Sequence, residues 1–172
     1  MNMSVSKCRQ NFHVEVEAAI NKQINLELHA SYIYLSMATH FGRDDVALPG
    51  LEKFYLESSH EERDHAEMFI KYQLSRGGRV VFANIERPTK EEWSTALEAM
   101  EYALNLEKEV NDSLLKLHQL GSNHSDPHLT DFLEGKFLDE QVESINKLSH
   151  FTTKLKRVGD GLGVYEFDKE LQ

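Results

Sequence analysis

Cysteine is almost absent from this chain. Cys8 is the sole one, so an internal disulfide is excluded and packing alone has to hold the fold. Proline is nearly as scarce: only Pro49, Pro88 and Pro127 occur, and no repeat or low-complexity tract breaks the pattern. The first twenty residues, which include Lys7, Arg9, Glu15 and Glu17, contain no apolar run of the kind a secretory signal needs. A cytoplasmic location is therefore expected. Basic charge is in deficit as well, with 19 Lys and Arg against 29 Asp and Glu and a formal net charge of −10. Such a balance argues against nucleic acid and anionic membranes as partners and in favour of cations. What is present is ordinary: 172 residues, 40% hydrophobic and 28% charged, enough for one domain with a real core.

Apolar residues recur at alternating steps of three and four in four long stretches, the signature of helices packed among others. The first reads Ile20, Ile24, Glu27, Ser31, Tyr34, Ala38; the second reads Leu51, Tyr55, Ser58, Glu62, His65, Phe69, Tyr72. The third gives Ala96, Met100, Ala103, Glu107, Val110, Leu114, Leu117, and the fourth gives Leu138, Gln141, Ile145, Leu148, Thr152, Leu155. Each stripe is interrupted near its middle by a group able to bind a cation.

Helix limits follow from punctuation. The first helix is predicted to run from near Asn11 to Gly42, and the second from Pro49 in its first turn to Gly77 and Gly78. A capping box from Thr89 to Glu92 predicts the start of the third, with Gly121 closing it; Asp126 with Pro127 opens the fourth, which Gly159 ends. The short connections before Pro49 and Pro127 permit only antiparallel neighbours. Residues Gly77 to Glu92 can span roughly 50 Å at about 3.3 Å each, more than the roughly 43 Å of a helix of about 29 residues. The expected fold is all-α: one domain over 1–172, comprising a four-helix bundle over about 11–158 with one long crossover between its second and third helices, and a short fifth helix over about 163–171. That last segment has too small an apolar face to stand alone and must dock.

A carboxylate buried without compensation costs several kcal/mol, so Glu27, Glu62 and Glu107 at one height would repel one another unless protonated, paired or metallated. No Lys or Arg shares the stripes near them. A Glu-x-x-His on a helix means little by itself, since residues three apart are neighbours in any helix; Glu62 and His65 gain meaning from lying in the stripe. Tyr34 and Gln141 read equally well as core residues with satisfied hydrogen bonds. Carboxylates with one imidazole and no thiolate suit iron, manganese or zinc. Di-iron carboxylate bundles take one Glu from each of two helices and a Glu-x-x-His from each of the other two. Here the fourth helix supplies the neutral amide of Gln141 instead, and neither Glu140 nor Glu143 is followed by a His three residues on. Glu27, Glu62 and His65 form the stronger predicted position and Glu62 with Glu107 the weaker, with Glu62 bridging. A weak second position suits a metal that passes through as substrate better than one retained for oxygenation or peroxide reduction.

Across nearly its whole length the chain resembles the heavy, ferroxidase-bearing subunits of animal ferritins. The resemblance rests on RQNFHVEVEAAINKQINLELHASYIYLSMATHF, SSHEERDHAEMFIKYQLSRGGRV, LEAMEYALNLEKEVNDSLLKLHQL, DPHLTDFLEGKFLDEQV and VGDGLGVYEFDKE. It implies a shell of twenty-four subunits, of one type or mixed, that takes up Fe2+, oxidises it with dioxygen and stores it as ferric oxyhydroxide. Iron would be both substrate and occupant of the paired site. Carried over residue by residue, the oxidation centre falls on Glu27, Glu62, His65 and Glu107, with Tyr34 and Gln141 beside it and Glu61 as a movable ligand on the way out. The resemblance further implies mineral nucleation at Glu61, Asp64 and Glu67, and a pore at Asp131 and Glu134 with His118 nearby. Without it, Asp131 and Glu134 are acidic residues in the first turns of a helix, where the macrodipole favours them.

Overall fold

A computed structural model describes residues 6–172, and among them all regular structure is helical. Four long rods carry it: α1 (Val14–Phe41), α2 (Pro49–Ser75), α3 (Ala96–Asn123) and a fourth made of α4 (Pro127–Leu133), a π turn (Glu134–Leu138) and α5 (Asp139–Val158). A short α6 (Leu162–Glu170) follows. Helix α1 packs along α2, α3 along α4 and α5, and the two pairs meet through α1 and α3. This is the expected bundle. No helix of the described residues is long and apolar enough to cross a membrane.

The crossover, residues 76–95, lies along α1 because that helix presents a polar stripe to it. Asn21 and Asn25 donate to the carbonyls of Arg79 and Asn84 at 3.0 and 3.2 Å, and His29 Nδ1 lies 3.2 Å from the carbonyl of Glu86. These residues are four apart, one above the next on a helix face. They satisfy backbone groups that irregular chain would otherwise leave to water.

Three predicted limits shift. Helix α1 starts at Val14, since Asn11 is left-handed at φ 48° and His13 is the N-cap, its ring accepting from the amide of Glu15. The third helix begins at Ala96 and not at the Thr89–Glu92 box. Thr95-x-x-Glu98 repeats the same signature, and there Thr95 Oγ1 accepts from Glu98 N at 3.0 Å while Glu98 takes the amide of Ser94 at 2.9 Å. Trp93, just ahead of it, is buried and anchors the end of the crossover. Gly121 does not close α3, which continues to Asn123; a Cβ there would lie 3.0 Å from Leu129 Cδ2, so this glycine serves close packing against α4.

The π turn was not expected, and its cause lies in the spacing of apolar residues. Leu129, Leu133, Phe137 and Gln141 are all buried and follow one another at steps of four. Three such steps drift about 40° each from a 3.6-residue stripe, and a turn of wider pitch absorbs the drift. Gln141 is thereby kept facing inward just beyond it.

Helix α6 docks on α2 and α5. Helix α2 has no side-chain cap of its own. Asp168, 2% exposed, supplies one from α6 by accepting the Leu51 amide at 2.8 Å. A carboxylate at a helix N-terminus satisfies an orphan donor and complements the dipole. Gly50 permits the approach, for a Cβ there would sit 1.9 Å from the Asp168 carbonyl oxygen. Phe167 meets Phe151 edge to face at 5.4 Å.

Candidate metal centre

The structure brings Glu27, Tyr34, Glu62, His65, Glu107 and Gln141 together, all buried, in the middle of the bundle. One ligand atom from each of Glu27, Glu62 and His65 lies within 4.8 Å of the other two. Glu107 approaches from α3, held by the hydroxyl of Tyr34 and by Gln141 Nε2 at 3.1 Å. Gln23, one turn before Glu27, donates to Glu27 Oε1 at 2.7 Å. Tyr34 is thus a satisfied core residue and a neighbour of the carboxylates at once, while Gln141 is satisfied only through its Nε2.

Two acceptors at this height have no partner: Glu27 Oε2 and Gln141 Oε1. Buried polar atoms are nearly always bonded, and an orphan asks for a reason. Among the described residues no lysine or arginine bonds to Glu27, Glu62 or Glu107. Several of these side chains border a narrow cavity of about 40 Å³, which also touches Glu61, Glu140, Ser144 and Lys147. That is room for an ion or a water.

The electrostatics follow. Burial, with the Glu62 charge beside it, raises the Glu27 carboxyl well above the usual range. Burial also raises Glu107, against the hydrogen bonds from Tyr34 and Gln141. Burial pushes Glu62 up to about 7, opposed by its hydrogen bond with His65 and reinforced by Glu107. Burial alone would depress His65, but its bonds to Glu140 and Glu62 and the charges of Glu62 and Glu27 carry it up to about 11. The cluster without metal therefore shares protons among crowded acids, and a divalent cation is the natural substitute for them.

Glu140 is the residue of this cluster that stripe reasoning passed over. It is half-buried at the flank of Gln141 and lies 3.2 Å from His65 Nε2, while His65 Nδ1 is 3.1 Å from Glu62. A carboxylate on one ring nitrogen fixes the tautomer and offers the other to a metal. Its signal was adjacency to an inward residue, visible only once the π turn sets the phase of α5. Glu61 reaches the same cavity, its carboxyl raised by partial burial and by Glu140.

Of the remaining predicted residues, Asp64 joins His60, Glu61 and Glu140 along an open groove that continues outward from the cavity. Glu67 stands apart, 3.6 Å from Arg63. His118 Nε2 lies 2.6 Å from Glu134, and Asp131 is exposed one turn before it.

Fold and site together define a class, the four-helix bundles whose facing helices build a metal site in the core. The ferritin-like domain family matches residues 17–158. The chain is 61% identical to soma ferritin of Lymnaea stagnalis across 98% of its own length and 97% of that protein. It is 54% identical to a ferritin heavy chain of Echinococcus granulosus and 55% identical to a ferritin middle subunit of Aquarana catesbeiana, with 96% of each chain covered. The chain belongs to the ferritin family of animal iron-storage proteins.

Proposed function

We propose that this subunit is of the heavy, ferroxidase-bearing type: it oxidises Fe2+ with dioxygen at the waist of its bundle and, as one domain in a cytoplasmic shell of twenty-four, stores the product as ferric oxyhydroxide. The observation that carries this reading is the pair of unpartnered acceptors, Glu27 Oε2 and Gln141 Oε1, among carboxylates that no lysine or arginine neutralises. Glu27, Glu62 and His65 Nδ1 hold one ferrous ion, Glu62 bridges, and Glu107 with the Gln141 amide oxygen holds the second. Two ions held by one carboxylate are close enough to share one dioxygen. Each gives one electron, reducing it to the peroxide level, and hydrolysis of the ferric product releases protons.

Ligand asymmetry sets the direction of flow. The first ion has two carboxylates and an imidazole whose orientation Glu140 fixes, whereas the second relies on shared carboxylates and a neutral amide. Carboxylates favour the higher charge of Fe3+, and the amide contributes least. Product leaves by way of Glu61, which borders both the cavity and the groove carrying Asp64; nucleation is assigned to Glu61, Asp64 and Glu67. Entry is assigned to the corner of His118, Asp131 and Glu134.

The test is the double variant Glu62→Lys with His65→Gly, followed by stopped-flow absorbance on mixing with ferrous iron and air. The assembled particle should persist and rapid oxidation should vanish; an unchanged initial rate contradicts the assignment.

A further inference from the structure

A second group of metal-binding side chains lies away from the waist, where the start of α1 meets the end of α3. His13 is the N-cap of α1, Glu15 stands in its first turn, and His124 is the C-cap of α3. One ligand atom from each lies within 4.8 Å of the others. His124 Nε2 is 2.8 Å from Glu15 Oε2 and His13 Nδ1 is 3.8 Å from that same oxygen. The two imidazoles are stacked at 3.7 Å with 14° between their planes, so both rings present an edge to one carboxylate.

From this geometry we propose a second, non-catalytic cation site at His13, Glu15 and His124, selective for a divalent ion of the zinc or copper type. Ligands about 2.1 Å from a tetrahedral ion stand about 3.4 Å apart. The observed 2.8 and 3.8 Å bracket that separation, and rotation of the two rings out of their stack turns both lone pairs onto one ion. Two imidazoles and one carboxylate favour Cu2+ and Zn2+ over Mg2+ or Ca2+, and over Fe2+ by the ordinary order of divalent affinities. Three protein ligands leave a fourth position for water. His13 Nδ1 also accepts the Glu15 amide at 3.2 Å, and ligation through Nδ1 replaces that long cap bond.

The site is a clamp. It joins His13 and Glu15 to His124, which lies 109 residues beyond Glu15 in sequence. The corner they join is already tied by Asn11 to the Ser125 carbonyl at 2.9 Å and by Arg76 to the Asn11 carbonyl at 2.8 Å. A bound ion would fasten the amino end of α1 to the turn that launches α4 without touching the oxidation centre.

The experiment compares the assembled parent with His124→Gln and, separately, Glu15→Gln, all of which keep the waist ligands and the His13 cap. Each is titrated with Cu2+ and followed by electron paramagnetic resonance, and each is melted with and without Zn2+. The expected result is one fewer tight Cu2+ per chain in His124→Gln together with loss of a signal split by two nitrogens. Glu15→Gln should weaken that site at least about tenfold. Zn2+ should raise the melting temperature of the parent more than that of either variant. Equal Cu2+ stoichiometry and equal nitrogen splitting in parent and His124→Gln would overturn the proposal.

Discussion

At the corner between α3 and α4, Asp126 is 2% exposed and fully engaged: Arg76 grips both its oxygens at 3.0 and 2.9 Å, and Leu129 N donates at 3.1 Å. At the waist, Glu27 is 0% exposed, receives one amide from Gln23, and leaves Oε2 without a partner. Both are acids taken out of water, but only the first is neutralised by a side chain of fixed positive charge. A structural carboxylate carries its compensation with it. A carboxylate proposed to take iron keeps a lone pair free for something that arrives later. Asp168 belongs with Asp126, since its charge is spent on capping α2.

Substitutions at the two places should therefore act on different observables. The largest effect is the loss of rapid ferrous oxidation in Glu62→Lys with His65→Gly. This should exceed the roughly ten- to hundredfold loss that follows removal of an outer partner such as Glu140, tested as Glu140→Gln. Next is Asp126→Ala, which leaves the largely buried Arg76 without its ion partner, though still bonded to Tyr72 and the Asn11 carbonyl; we expect up to about 3 kcal/mol less stability by chemical denaturation, with oxidation per folded chain preserved. Loss of oxidation there, at full stability, would erase the distinction.

Glu27→Gln should move in the opposite sense. The folded, metal-free chain binds a proton at Glu27 more tightly than the unfolded chain does, so stability falls as pH rises from the ordinary carboxylate range toward the raised folded value. The glutamine variant should thus melt higher than the parent in chelator, with the gap widening as pH rises, while oxidising iron poorly. A lower melting point for it at neutral pH would show that the charge is compensated after all. The smallest effect is at the surface. Hydrogen bonds from Lys90 and Ser94 hold Glu98 down to about 2, so its contribution is present above the usual glutamate range and is lost as pH falls through about 2. Glu98→Gln should cost at most about 1 kcal/mol at pH 7, because the group is partly exposed, and nothing at the acid extreme.

How much of this was legible in the sequence varies by region. The interruptions at Glu27, Glu62, His65, Glu107 and Gln141 were readable because a polar group in an apolar stripe violates a period that the rest of the helix obeys. All five are buried together. Within the stripes the phase slipped in places: Ser59 is buried beside a half-buried Ser58, and Phe137 beside a half-buried Leu138. The π turn, hidden in three successive four-residue steps, explains the second slip and also the oversight of Glu140. The start of α3 was misplaced because two capping boxes lie six residues apart, and only tertiary burial of Trp93 chooses between them. The pairing of His13 and Glu15 with His124 depends on how two helix ends meet, which no local pattern encodes.

On the proposed function, the buried acids at the waist have no lysine or arginine partner because ferrous iron passes through them. Its most direct test is aerobic loading of the assembled particle with ferrous iron, following dioxygen uptake and retained iron together. A fast oxidation followed by accumulation of far more iron than a pair per chain is the predicted result. Oxidation no faster than in buffer, or saturation at a pair of irons per chain, would contradict it.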